Sequence, residues 1–132
     1  MDAVFARHRI DCLPRGWKDA ANSIITDRIE KIKKVGGTMY GVWRSQIGLP
    51  RDTVTAITIW PDLKTASEHA STLDRGLATV RASEYKILRP TTRPKTHKPP
   101  KRQGNYAFRW FETPAGKYEE FIELCNAAWP DF

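Results

Sequence analysis

The first dozen residues alternate between two sides, which is the period of a β-strand. From Pro14 the apolar positions recur every three or four residues up to Val35, with Arg28 as a polar residue on that helical face. The pattern predicts a strand over 4–12 and then a long helix. One side of that strand carries Val4, Ala6, His8, Ile10 and Cys12, and the other carries Phe5, Arg7, Arg9 and Asp11.

Four further segments complete a first structural unit. Residues 38–46 and 52–60 are rich in β-formers and are separated by Gly48 and Pro50, which indicates a hairpin. Asp62 can cap a second helix, whose apolar positions continue to Leu77, and residues 83–88 predict a fourth strand. The order βαββαβ predicts an α+β, ferredoxin-like sheet with its helices on one face.

The strands carry apolar residues on both sides, and monomers rarely expose such a surface. We therefore expect the second sheet face to be covered in a homodimer or larger homo-oligomer. The expected architecture is a dimeric α/β barrel.

A Pro-rich basic segment follows. Residues 89–103 hold six of the 22 basic residues and no acidic one, which leaves 16 basic against 15 acidic residues elsewhere. Prolines favour extended backbone, so an exposed linker is the simplest interpretation, and an arm of residues 89–102 that binds nucleic acid is the alternative.

The initial pattern then begins again. Residues 105–113 predict a strand and residues 117–129 a helix, and Arg9, Pro14 and Gly16 return as Arg109, Pro114 and Gly116. We predict a ferredoxin-like repeat over 1–90, a linker over 91–103, and the strand and helix of a second, incomplete repeat over 104–132. The chain is either a fragment of a two-repeat protein, or its last 30 residues have another role.

The segment YAFRWFETPAGKYEEFIELCNAAWPDF resembles the start of a repeat in NIPSNAP-type proteins of the dimeric α/β-barrel superfamily. RHRIDCLPRGWKDAANSI is compatible with that family's first strand and helix. The resemblance implies a paired barrel that encloses a cavity. In related monooxygenases such a cavity holds small aromatic or polyketide substrates without a cofactor, and in other relatives it holds haem.

Composition narrows the alternatives. No window has the apolar length of a membrane span or a signal peptide, so we expect a soluble, cytoplasmic protein. Cys12 and Cys125 lie far apart in no metal-ligand spacing, and we expect neither a metal site nor a cofactor, with haem as the one exception to test. Phosphate-loop, GxSxG and HExxH motifs are absent from the sequence.

His8 is the candidate catalytic residue, because a neutral imidazole among apolar neighbours can act as a base or haem ligand. The alternative is a packed, hydrogen-bonded core histidine. The candidate ligand-binding residues are aromatic rings with arginines at the rim, which suit flat apolar molecules that carry a carboxylate. They are Arg9, Tyr40, Trp43, Trp60, Arg109 and Trp110. The rings could equally form the core or a dimer interface, and strand parity prevents all of them from facing one cavity.

Two functions follow. The first is a barrel that binds or acts on a small apolar or aromatic ligand, as a cofactor-independent monooxygenase-like enzyme if a reaction occurs. The alternative is a non-enzymatic interaction module whose basic arm binds nucleic acid or an acidic partner.

Overall fold

Residues 3–91, 96–104 and 106–128 are described by a computed structural model, and their contacts divide the chain into two units, Met1–Arg89 and Pro90–Phe132. The first unit contains four strands: β1 Val4–Cys12, β2 Thr38–Arg44, β3 Thr53–Trp60 and β4 Val80–Leu88. They form one antiparallel sheet in the order β2-β3-β1-β4. The predicted ferredoxin-like α+β fold is confirmed.

The predicted first helix is confirmed, but its winding changes partway. It consists of α1 (Trp17–Ser23), a π-helical turn (Ile24–Arg28) and α2 (Ile29–Lys34). After the hairpin, α3 (Leu63–His69) begins as expected, since Asp62 Oδ1 accepts a hydrogen bond from the backbone N–H of Thr65 at 2.7 Å. It continues as a 3-10 turn, Ala70–Thr72, which ends before the predicted Leu77.

The core lies between these helices and one face of the sheet, named here the helix face. The even-numbered residues of β1 and β3 point into it, and their register pairs Val4 with Trp60 and Ile10 with Val54. Burying their apolar area against the helices is the main source of stability. The helices and the residue that follows the 3-10 turn add Ala20, Ile24, Ile32, Ala66, Ala70 and Leu73 to this core.

The second unit contains α4, Tyr118–Ala128, which confirms the helix predicted over 117–129; Trp129 lies outside the described residues. The strand predicted over 105–113 is not formed by its described residues, 106–113. Alternation there places Phe108 and Trp110 on the same side, where their rings stack with centroids 5.8 Å apart. The period-2 pattern thus produces ring stacking within the segment instead of a sheet ladder.

Position 37 requires glycine because the backbone there lies close to a buried ring. A Cβ atom at Gly37 would lie 2.7–3.0 Å from ring atoms of Trp60, which is fully buried. We predict that Gly37→Ala lowers the free energy of unfolding by about 1–3 kcal/mol, because the indole must shift within a packed core. Urea denaturation measures the change.

Gly104→Ala is the matched control, since a Cβ atom there meets nothing within 4 Å. It should change stability by no more than about 0.5 kcal/mol. Equal effects of the two substitutions would contradict the packing argument.

Candidate functional site

His8 lies on the helix face of β1, the central strand that pairs with both β3 and β4. Its side chain is 1% exposed. The strand alternation that brings Ala6 and Ile10 into the core brings His8 with them. This residue is therefore a buried histidine, and its partners decide what it can do.

A hydroxyl on β3 connects His8 to a buried indole. Thr58 Oγ1 lies 2.9 Å from His8 Nε2 and accepts a hydrogen bond from Trp60 Nε1 at 2.7 Å. The Thr58 hydroxyl keeps its own proton, which it can donate to Nε2 when the imidazole proton is on Nδ1. These three side chains form a polar network inside an apolar core, and the hydrogen bonds offset the cost of burying the polar groups.

The charge state of His8 follows from its surroundings. Burial is the main cause that lowers the pKa of His8 from its ordinary 6.5 to about 4. The negative charge of Asp74 opposes this decrease, and the positive charge of Arg7 adds to it. The imidazole is therefore neutral at physiological pH. A neutral imidazole with this pKa is a hydrogen-bond acceptor or donor and only a weak base.

Asp74 connects His8 to an open cleft. Its side chain is 8% exposed, its charge acts on His8, and it lines a cleft of about 480 Å³ between the 3-10 turn and β4. The cleft is open to solvent along its length. Other lining residues of this cleft, named here the Asp74 cleft, are Ser71, Arg75, Leu77, Val80, Arg81 and Ser83. Apolar and cationic groups thus lie around one carboxylate.

Tyr85 is the aromatic neighbour of His8 on β4. The two residues are paired across the β1–β4 ladder, and their ring centroids are 6.0 Å apart. Tyr85 is half-buried, whereas Trp60, the aromatic partner of the network on the β3 side, is fully buried. Of the predicted ligand-binding rings in the first unit, the structure brings Trp60 into the network of His8, and Tyr40 and Trp43 lie outside it.

Tyr40 and Trp43 instead belong to the opposite face of the sheet. Tyr40 packs edge-on against Phe5 with centroids 5.4 Å apart, and it lies 6.3 Å from Trp43. The Trp43 ring occupies the space above Gly41, where a Cβ atom would collide with it. We name Phe5, Tyr40 and Trp43 the aromatic strip. Strict alternation along the strand predicts Tyr40 and Trp43 on opposite faces, but the register shift between Met39 and Gly41 puts both on this face. Trp60 lies on the helix face, so the predicted rings are still divided between the two faces.

Arg9 also lies on the opposite face, at its polar end. Its Nε donates to Asp11 Oδ1 at 3.3 Å, and the hydroxyl of Thr53 donates to the same oxygen at 2.8 Å. Arg9 and Asp11, together with Glu84 of β4, line a smaller cleft of about 170 Å³. Arg9 and His8 therefore point to different sides of the sheet.

Arg109 and Trp110 are part of the second unit. Trp110 is 49% exposed and stacks on Phe108, while Phe111 packs against Phe121 of α4 with centroids 5.2 Å apart. Within its own unit, this segment is a small aromatic cluster. The roles predicted for Arg109 and Trp110 in ligand binding stay predictions.

The sequence analysis did not identify Thr58, Asp74 or Tyr85. Strand alternation could have identified Thr58, because it lies two residues before Trp60 on the face that also carries Ala56. Asp74 had no comparable signal, since its burial depends on how the loop after the 3-10 turn folds back onto β1 and β4.

Metal and haem chemistry find little support in these side chains. Among residues 3–91, 96–104 and 106–128, no three His, Cys, Asp or Glu side chains cluster in a way that could hold a metal ion. Haem does not fit at His8, because Nε2 faces Thr58 inside the core and the side chain is 1% exposed.

Burial raises the pKa of the Cys12 thiol, with smaller contributions from Asp52 and Asp11, which keeps this thiol protonated. None of the helices in the described segments combines the length and apolarity needed to cross a membrane.

Comparisons with known proteins agree on the fold. No protein-family model and no curated protein matches the chain. Among solved structures, an uncharacterized NIPSNAP-like domain protein from Burkholderia xenovorans is 20% identical, with a TM-score of 0.57 over 76% of this chain and 95% of that one. A NIPSNAP family protein from Agrobacterium tumefaciens is 16% identical, with a TM-score of 0.54 over 69% and 88%. A second Agrobacterium tumefaciens protein, of the NIPSNAP family and with unknown function, is 20% identical, with a TM-score of 0.51 over 67% and 88%.

These likenesses show that the chain has the fold of NIPSNAP-like proteins, as the sequence resemblance implied. At 20% identity or less they establish the fold alone.

The low pKa of His8 makes stability depend on pH. The unfolded state takes up a proton near pH 6.5 and the folded state near pH 4, so stability is highest above pH 6.5 and falls as the pH drops towards 4. We predict a loss of about 2 kcal/mol from this residue between pH 7 and pH 5. Urea denaturation at the two pH values measures it.

His8→Gln is the test variant, because glutamine can still bond to Thr58 but does not titrate. It should remove most of that pH dependence, while His69→Gln, a change at a half-buried helix position, should leave it intact. An unchanged pH dependence in His8→Gln would show that His8 is not the group responsible.

Proposed function

We propose that the chain is a homodimeric α/β-barrel protein that binds a small aromatic molecule with an acidic group in the Asp74 cleft. The observation that carries the proposal is the arrangement around Asp74, a largely buried carboxylate that acts on neutral His8 and also lines an open cleft beside two arginines. The fold of NIPSNAP-like proteins is compatible with it.

The lining residues indicate the ligand chemistry. Leu77 and Val80 provide apolar contact for a ring, Arg75 and Arg81 provide positive charge for a carboxylate, and Asp74 can accept a hydrogen bond from a hydroxyl group. A ring with a carboxylate and a hydroxyl group matches all three features. We propose binding instead of catalysis, because His8 is buried beside the cleft without lining it and its pKa of about 4 makes it a weak base.

The proposed dimer uses the sheet face opposite the helices. Phe5, Ile57 and Ile59 on this face are 6%, 5% and 8% exposed in the single chain, so a partner would mainly cover the half-buried Tyr40 and Trp43. Aromatic anchors are typical of such contacts. A contact centred on two rings favours a dimer that dissociates on dilution.

We predict a mass near 30 kDa, twice that of the 15.1 kDa chain, in light scattering at tens of micromolar protein, and a lower mass on dilution. Trp43→Ser should raise the dissociation constant at least about 10-fold, since buried tryptophans dominate small interfaces. Leu63→Ser, which removes an exposed apolar side chain from the helix layer, should have no effect. A concentration-independent monomer would exclude the dimer.

For the ligand, we predict that 4-hydroxybenzoate at about ten times its dissociation constant raises the melting temperature by about 4–6 °C. The double variant Arg75→Gln/Arg81→Gln should abolish this shift, and Arg51→Gln, in the hairpin turn, should preserve it.

A panel of benzoate, phenol and 4-hydroxybenzoate separates the contributions of charge and hydroxyl group. If no member shifts the melting temperature and the protein retards single-stranded RNA in a gel, the alternative function of the basic arm is favoured. Part of that arm, residues 92–95, lies outside the described residues, and its role stays a prediction.

A further inference from the structure

The helix that packs on the sheet is irregular at one point. Its winding changes to a π-helical turn at Ile24–Arg28, between α1 and α2. A π turn inserts an additional residue and rotates the side chains that follow it, and such turns are frequent at functional sites. Arg28 is the last residue of this turn and lies on the same side of the helix as the buried Ile24 and Ile32.

The Arg28 side chain extends from this helix to the 3-10 turn that follows α3. Its Nη1 donates to the carbonyl oxygen of Thr72 at 3.2 Å, a hydrogen bond between residues 44 positions apart. The side chain is 14% exposed, and its Nε lies 3.3 Å from Asp27 Oδ2, a charge contact without hydrogen-bond geometry. A largely buried guanidinium is costly unless it is held by such partners.

Thr72 is the last residue of the 3-10 turn, immediately before the loop of the Asp74 cleft. Leu73 is fully buried after it, and the loop then makes two local backbone bonds, from Leu77 N–H to Asp74 at 3.4 Å and from Val80 N–H to Leu77 at 3.2 Å. A carbonyl at the end of a helical turn lacks a partner within the turn, and Arg28 supplies one.

We propose that Arg28, placed by the π turn, is a positioning residue that holds the start of loop 73–79 against the sheet and keeps Asp74 in the cleft, while the bond from Leu13 N–H to the Thr79 carbonyl at 2.8 Å holds the end of the loop. Its importance for ligand binding rests on the proposed function, whereas its effect on the loop is measurable without any ligand. Arg28, the polar residue on the otherwise apolar side of this helix, then connects the helix to the Asp74 cleft.

The test compares Arg28→Met with Lys31→Met by amide hydrogen exchange on the full chain. Methionine keeps much of the length and packing of arginine without the donor. Lys31 is the matched control because its Nζ contacts the same Asp27 carboxylate at 3.3 Å. We expect the amides of Leu77 and Val80 to exchange at least about 10-fold faster in Arg28→Met, and unchanged in Lys31→Met.

A second readout is specific to position. Because the charge of Asp74 raises the pKa of His8, Asp74→Asn should lower that pKa, as measured by NMR. In the Arg28→Met background the same substitution should lower it less, since a displaced Asp74 acts on His8 more weakly.

Arg28→Lys keeps a donor and should restore at least part of the slow exchange; it also serves if Arg28→Met does not fold. Equal exchange of Leu77 and Val80 in the Arg28 and Lys31 variants, or an undiminished effect of Asp74→Asn, would overturn the proposal. If both readouts agree but no ligand binds, the positioning role stands and the proposed function fails.

Discussion

The structure depends on the two backbone ladders of β1, which join this strand to β3 on one side and to β4 on the other. Because side chains alternate strictly along a strand, this double pairing assigns each residue of β1 to one face of the sheet. His8 must then lie among the helices, and Arg9 must lie behind the sheet. A site that used both residues would have to extend through the sheet, so the chemistry of the two faces is separate.

On the helix face, burial sets the chemistry of His8. The energy needed to remove a cation from water keeps the imidazole neutral, and Thr58 provides a hydrogen bond that does not require charge. The same network fixes the indole of Trp60 above Gly37. The charge state of His8 and the packing of Trp60 are therefore coupled, and changes at His8 are expected to affect the stability of the core.

Much of this fold could be predicted from the sequence, because its strands and first helix follow strong hydrophobic periods. The segment after Asn105 could not, since the alternation of Phe108 and Trp110 is the same whether rings stack within a segment or a strand joins a sheet. The Asp74 cleft was missed for a different reason. Its residues belong to a loop and to β4, and the long-range contacts beside it, such as the hydrogen bond from Arg28 to Thr72 over 44 residues, leave no local pattern.

Arg28 shows how an apparent defect in a pattern can carry information. The side of a helix that packs on a sheet consists mainly of apolar residues. A regular helix with an aliphatic side chain at position 28 would therefore be enough to fill the core. The π turn contributes Ile24 to the core, but the Arg28 guanidinium at its end is a charged group, and burying that charge is costly without a partner. What they supply is a bond to the carbonyl that precedes Leu73 and Asp74. The irregularity is thus better explained by the loop it holds than by the helix in which it occurs.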